Sequence, residues 1–392
     1  MKHFSRSALQ LLLRSTILSP LLVILAFGVL AAPMAEARPT GPTNDHRRIA
    51  LAVAKLMERQ HLSRRQLDDE ISRRSLETFL KSLDPKKLFF YQSDVDQFMA
   101  DRNRLDDFFK RGDIQFAHKV FARFLARVEE RVSTAHQMLD QPHDFNLDED
   151  MVVEFDAATY PRTPEEAVER WRKRVKFDLL REITEDEDQE LSEAIEKLRK
   201  RYSSLNKSWN QTDNDELLER YLSAMTSGFD PHSSYMSPST LENFKIVMSL
   251  ELDGIGASLR SVDGYTEVHE VIPGGAADED GRLTKGDRIV GVGQGVDGEI
   301  EDIVDMKLND VVKKIRGKRG TIVRLEVNPV DNPKDREVYE IERARIELKN
   351  QEARSTIIEH GQQPDGSPYR IGVIHLPSFY MDMEGARLGL PQ

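Results

Sequence analysis

Asp230-Pro231-His232-Ser233-Ser234-Tyr235 leads into Gly254-Ile255-Gly256-Ala257, and Gly286-Asp287-Arg288-Ile289-Val290-Gly291-Val292 follows. These three stretches decide the fold, because the periodicity of the chain changes across the first of them. Beyond Phe229, residues 249–260 alternate and are rich in Leu, Ile and small residues. Asp263-Gly264 separates two strand-like runs, 257–262 and 265–272, and a two-residue Asp-Gly link is a strong hairpin signal. Pro273-Gly274-Gly275 opens a loop. Leu308, Val311, Val312 and Ile315 carry helical spacing. Residues 321–328 and 337–345 read as strands on either side of a Pro/Asp/Asn-rich turn, 329–334. The expectation is a small β-barrel with one long helix. A polar stretch, 359–368, then precedes a new strand, 370–376, which Pro377 ends.

Upstream, residues 49–226 read as helical. Ile114, Ala117, Phe121, Phe124, Val128, Val132, Ala135 and Leu139 recur every three or four residues and share one face, with Arg123, Arg127, Glu130 and Arg131 elsewhere. Thr163 with Pro164 and Glu166 predicts a capping box. The face of the helix that follows is Val168, Trp171, Val175, Leu179 and Ile183, and the basic run 170–176 reads as its solvated side. Leu191, Ile195, Leu198 and Tyr202 mark another helix, and Leu217, Tyr221 and Met225 a further one. Ser63 with Gln66 suggests a capped start before Ile71, Phe79 and Leu83. The apolar runs break every few turns, which favours a compact bundle over a coiled coil. The aromatic residues of this region read as core.

The chain has 392 residues, 32% charged and 39% hydrophobic, with a formal net charge of -12. Residues 1–37 carry Lys2, Arg6, Arg14 and Glu36, a net +2, so a chain without them carries -14. An acidic chain repels phosphate backbones, and no nucleic-acid partner is expected. Lys2, Arg6 and Arg14, the apolar run 21–32 and Ala35-Glu36-Ala37 form a secretory signal with cleavage before Arg38. Pro20 and Gly28 interrupt the run and argue against an uncleaved anchor. The expected fate is export; the periplasm, with room for peripheral attachment at the inner membrane, is the location that the family resemblance given below implies. There is no cysteine, so neither a disulfide nor a thiol contributes.

Gly254-Ile255-Gly256-Ala257 resembles the carboxylate-binding loop of PDZ domains, and that resemblance implies a peptide C-terminus as its ligand. A peptide C-terminus carries a full negative charge and needs donors when it leaves water. The consecutive N–H groups of Ile255, Gly256 and Ala257 can converge on it, and glycine permits the backbone angles. Beyond the loop, Ser258 and Leu259 begin an edge to which an extended peptide can add. Leu308, Val311, Val312 and Ile315 would complete a pocket for the last side chain. Burying one Val, Leu or Phe there would contribute about 1.5–3 kcal/mol. No cofactor and no metal is expected. His269-Glu270 lacks a second histidine at metal spacing. The Gly293-Gln294-Gly295-Val296-Asp297-Gly298 match to a dinucleotide loop has Glu299, Glu301 and Asp302 where a helix N-terminus should receive pyrophosphate. His232 beside Ser233 and Ser234 reads as a corner at the domain junction.

Glycine loop, Asp-Gly hairpin, Pro-Gly-Gly loop, Gly286-Asp287 and the later helix together resemble a PDZ module. In particular they resemble that of the carboxy-terminal processing proteases in their long form, the tail-specific protease family. The resemblance runs over nearly the whole chain after the signal and is strongest over 228–345. It implies a multidomain α+β protein: signal peptide 1–37, helical domain 38–228, PDZ domain 229–346, and 347–392 as linker and first strand of an incomplete α/β peptidase core. It further implies a serine endopeptidase that recognises apolar C-termini of periplasmic proteins and cuts them with a Ser nucleophile and a Lys base. No residue of this chain matches those catalytic positions, so this chain alone is expected to be inactive. An adaptor lipoprotein docking on the helical domain is a further implied partner. The rival reading is a non-catalytic periplasmic PDZ adaptor for C-terminal tails. A trypsin-like PDZ protease would need a Gly-x-Ser-Gly-like motif before residue 230, and none is present.

Overall fold

The computed structural model describes residues 39, 41–152, 158–185 and 190–389. The secretory-signal reading of 1–37 lies outside them. Among the described residues eight helices come first: α1 (Asn44–Gln60), α2 (Asp69–Leu83), α3 (Gln92–Met99), α4 (Leu105–Lys110), α5 (Gln115–Leu139), α6 (Pro164–Glu185), α7 (Leu191–Asn210) and α8 (Asn214–Ser227). α5 is the central one. All eight residues of its expected apolar face are buried, with Ile114 just before the first turn. Phe121 and Phe124 meet Trp209 of α7, and Phe124 makes an edge-on contact with it at 4.7 Å between centroids. Trp171 donates its indole N–H to the Leu88 carbonyl at 3.0 Å, so its one polar atom is satisfied inside the core. Truncating Phe124 to alanine would cost about 3–5 kcal/mol through lost contacts and the cavity left behind.

Several local expectations change. Arg131, read as lying off the apolar face of α5, is nonetheless only 1% exposed. It donates to the Tyr91 hydroxyl at 3.1 Å, the Glu130 carboxylate at 2.9 Å and the Phe89 carbonyl at 3.2 Å, which makes its burial tolerable. α2 is capped by Asp68, whose carboxylate accepts from the Glu70 and Ile71 N–H groups. Ser63 instead faces His61. The Thr163 cap forms, but Glu166 reaches back to the N–H of Arg162, one residue earlier than a capping box requires. The basic run 170–176 is not a free solvated side. Arg172 and Lys176 both hold Glu149, and Lys176 also donates to the Leu147 carbonyl. These contacts tie the segment before α6 to the helix. Val168 and Leu191, expected on apolar faces, are partly exposed.

α9 (Pro238–Ser249) has no counterpart in the sequence reading. Ser237 caps it and Pro238 occupies its first turn, a start signal that was present. Its apolar residues Leu241, Phe244 and Val247 are exposed, so no buried stripe announced it. It ends at Leu250, in the left-handed region at φ 56°.

The β-rich part follows: β1 (Glu251–Gly254), β2 (Ala257–Val262), β3 (Tyr265–Val271), α10 (Ala276–Asp280), β4 (Arg288–Gln294), β5 (Glu301–Asp302), α11 (Leu308–Ile315), β6 (Ile322–Asn328), β7 (Glu337–Glu342) and β8 (Ala344–Glu347). The main sheet runs β2-β3-β4-β6-β7, with β5 beside β4, and β1 pairs antiparallel with β8. Among the described residues this is an open sheet with a separate ladder, and not the closed barrel expected. The Asp263-Gly264 hairpin forms as read, both residues at positive φ (52° and 84°). The core under the sheet contains Ile255, Val268, Ile289, Val292, Val311, Ile315, Val323 and Leu325.

The helical and β parts touch through charges. Lys207 of α7 pairs with Asp305, and Gln211 donates to the Asp305 carbonyl at 2.8 Å. Lys307 pairs with Glu216 of α8. Both lysine contacts bear on the turn that enters α11.

The last part differs most from expectation. β9 (Arg354–His360) falls in the segment read as linker, overlaps the polar stretch 359–368 only at its last two residues, and pairs antiparallel along its whole length with β10 (Tyr369–His375). The strand read over 370–376 is therefore one half of an antiparallel pair. Every residue of both strands is exposed, Ile357, Ile358, Ile371, Val373 and Ile374 included. α12 (Met383–Arg387) follows, and the Met381 N–H donates to the Met248 carbonyl of α9 at 2.8 Å.

Candidate functional site

The turn between β1 and β2 is built so that two carbonyls point one way and two amides the other. The Ile255 carbonyl accepts from the Ala277 N–H at 2.7 Å, and the Gly256 carbonyl from the Ile272 N–H at 2.8 Å. In a trans peptide the C=O and the following N–H are antiparallel. The N–H groups of Gly256 and Ala257 therefore point away from the 272–277 loop. Neither Ile255 nor Gly256 gives its N–H to a backbone acceptor among the described residues. Gly256 is buried, and an unpaired donor in such a place is costly until something accepts from it. A carboxylate is a fitting acceptor.

Glycine is required here twice. Gly256 has φ 79°, and a Cβ on it would lie 3.0 Å from the Gly275 Cα and 3.1 Å from the Ile346 side chain. A Cβ on Gly275 would in turn lie 3.1 Å from the Gly256 Cα. The Pro273-Gly274-Gly275 stretch is thus the back wall of the turn. Sequence reasoning saw it only as a loop opening.

β2 is an edge strand, paired on one side by β3 and packed beside α11. Ala257 and Leu259 are half-buried and pack on the core, whereas Ser258 and Arg260 are exposed. Arg260 is held across the hairpin by Glu267 at 3.0 Å. On α11, Val311 and Ile315 lie in the core, 0% and 3% exposed. Leu308 and Val312, one turn apart on the neighbouring face, are only half-buried. Of the four α11 residues expected to line the pocket, these two are the ones left partly accessible. Gly254, Ile255 and Gly256 are buried, the isoleucine side chain among the core residues. The turn and the apolar wall of α11 are therefore adjacent, at the head of a strand with one free edge. That arrangement can receive an extended peptide ending in a carboxylate and an apolar side chain.

The other candidates resolve structurally. His61, which the sequence did not single out, is what meets the 230–235 corner. Its Nε2 lies 2.9 Å from Asp230 Oδ2 and 3.0 Å from Ser233 Oγ, and its Nδ1 lies 2.8 Å from Ser63 Oγ. A catalytic triad splits serine and carboxylate between the two ring nitrogens. Here Nε2 faces Asp230 and Ser233 together, and Ser63 on Nδ1 also accepts the N–H of Arg65 in its own turn, so the histidine fastens the 61–65 turn to the 230–235 corner. His232 contributes only its N–H, to Asp230 at 2.8 Å. After Gly298 the chain enters β5 and not a helix, and the Gly298 carbonyl accepts from Arg324 at 2.9 Å. That removes the dinucleotide geometry.

The family model described as Tail specific protease N-terminal domain matches residues 53–239, and that described as PDZ domain matches 244–328. The tail-specific protease of Haemophilus influenzae is 34% identical over 328 residues, covering 83% of this chain and 46% of its own. The carboxy-terminal processing protease CtpA of Bacillus subtilis is 34% identical over 137 residues, 34% of this chain and 28% of its own. The chain spans less than half the length of these curated relatives. The solved PDZ domain of a carboxy-terminal protease from Vibrio cholerae, in complex with peptide, is 42% identical over 25% of this chain and 100% of its own, with a TM-score of 0.24.

Proposed function

Because this chain belongs to the tail-specific protease family, we propose that it supplies tail recognition to an exported serine endopeptidase, capturing apolar C-termini of periplasmic proteins. In this reading a Ser/Lys dyad performs the cleavage, and no residue described above takes either role. The observation that carries the reading is the pair of outward amides, Gly256 and Ala257, at the head of an edge strand flanked by Leu308 and Val312. Four further features support it. The terminal charge of a substrate meets backbone donors that would otherwise remain unpaired in a buried turn. The last side chain meets a half-buried apolar wall. The β9–β10 hairpin offers an apolar sheet of the kind on which a peptidase core packs. The basic and apolar pattern at residues 2–37 supports export.

Hydrogen exchange with and without a saturating peptide that ends in an apolar residue tests the reading. Exchange should slow at 255–260 and across 308–316. Protection confined to the helical domain, or no protection, would contradict it.

A further inference from the structure

Arg316 follows α11 directly, and its aliphatic stem lies against the carboxylate turn. A Cβ placed on Gly254 would be 3.8 Å from Arg316 Cγ. Its head is turned toward α9, where Nη1 donates to Asn243 Oδ1 at 2.7 Å. The structure gives its remaining guanidinium donors no hydrogen-bond partner among the described residues. Burial pushes the guanidinium below its ordinary pKa, with the Glu242 carboxylate opposing the shift. A neutral amide is a weak partner for a half-buried cation, because it leaves the charge uncompensated. Beside it, Arg316, Lys313, Val312, Asn309 and α9 enclose a cavity of about 270 Å³.

The turn itself offers only neutral N–H groups. Those fix the geometry of a carboxylate, but they do not neutralise it. A cation within reach would make the site select the charged terminus over its neutral amide. Arg316 is a cation whose stem lies beside the first residue of the turn, whereas the nearby Arg319 is already paired with Asp253. Its stem lies beside Gly254, and staggered rotations about its outer bonds swing the guanidinium through a wide arc around that point.

We propose that Arg316 is the charge-bearing member of this site: on binding, its guanidinium leaves Asn243 and pairs with the terminal carboxylate that the Gly256 and Ala257 amides receive. The proposal rests on the tail-binding reading above and adds its specificity determinant. Selectivity for a free C-terminus would then come chiefly from Arg316, and main-chain addition to β2 would contribute affinity common to acid and amide. Asn243 would be a competitor for the guanidinium in the empty site.

The test is fluorescence anisotropy with one labelled peptide ending in alanine, prepared as free acid and as amide. Both are measured on the whole chain and on Arg316→Gln, Arg316→Lys and Asn243→Ala variants. Thermal melts verify that each variant is folded. The unaltered chain should prefer the acid. Arg316→Gln should lower acid affinity roughly tenfold, the usual order for a charge-assisted pair, and leave amide affinity unchanged. Arg316→Lys should retain most of the preference, and Asn243→Ala should bind the acid equally well or more tightly. If Arg316→Gln keeps the acid-to-amide ratio of the unaltered chain, the proposal fails while the groove reading stands. Equal losses in the Gln and Lys variants for both peptides would make Arg316 a packing residue and also overturn it. No acid preference in the unaltered chain would remove the groove reading itself.

Discussion

The Cα of Gly275 lies 3.0 Å from where a Cβ on Gly256 would stand, so two glycines from different loops meet behind the carboxylate turn. Neither position has room for a side chain unless the turn moves. Gly256 also holds φ 79°, which a β-branched residue adopts only under strain. Gly256→Val should therefore displace the outward amides, at a cost on the order of 1–3 kcal/mol from strain alone. We expect at least a tenfold loss of binding for a peptide with an apolar C-terminus, on the order of 1.4 kcal/mol or more. Anisotropy titration measures this. Melting of the helical core around Phe124 should be unchanged, since no contact of Gly256 reaches it. Unaltered binding by Gly256→Val would remove the turn from the site.

The Glu149 clamp on α6 should set an acid limit for that region. Hydrogen bonds from Arg172 and Lys176 bring the Glu149 carboxyl down to about 2 from an ordinary 4.5. A depressed carboxylate stabilises the fold fully above its unfolded pKa and loses that contribution as pH falls through its folded one. Thermal melts of the unaltered chain and of Glu149→Gln should differ by a constant amount above about pH 5. The difference should shrink below about pH 4.5 and vanish near pH 2. A gap that widens on acidification would contradict the assignment.

The β9–β10 hairpin should be the least protected β structure of the chain. Two strands exposed on both faces are marginal in water, whatever their pairing. Amides of residues 370–375 should exchange far faster than those of residues 289–292, which lie buried in β4 between β3 and β6. The exposed Ile371, Val373 and Ile374 also make this strand prone to association. Equal protection of the two strands in hydrogen exchange at micromolar concentration would show that the hairpin is covered or more stable than its exposure implies.

Much of this was legible in the chain, and the parts that were not share a cause. The face of α5 could be read because eight apolar residues repeat at helical spacing and all are buried. Asp263-Gly264 could be read because the turn itself demands positive φ from both residues. α9 escaped because its apolar residues face solvent, leaving only the Ser237-Pro238 start signal. β9 escaped because a strand exposed on both faces need not alternate, and Arg354, Glu359 and His360 made it look like a loop. At the site, the glycine loop and the apolar helix were visible as local patterns. Their assembly was not, because Gly275, Ile346 and Arg316 reach the turn from distant positions. Nor could spacing alone separate the core pair, Val311 and Ile315, from the surface pair, Leu308 and Val312. All four are apolar, and only packing decides which reach the groove.

The central claim is that the Gly254–Ala257 turn reads a chain end. Its most direct measurement is the affinity of the whole chain for one apolar-ended sequence in three forms: free acid, C-terminal amide, and the same residues embedded within a longer peptide. The free acid should bind at least tenfold more tightly than either alternative, since only it brings a charge to the outward amides. Equal affinity for all three would contradict the account, because a groove indifferent to the terminal carboxylate does not select tails.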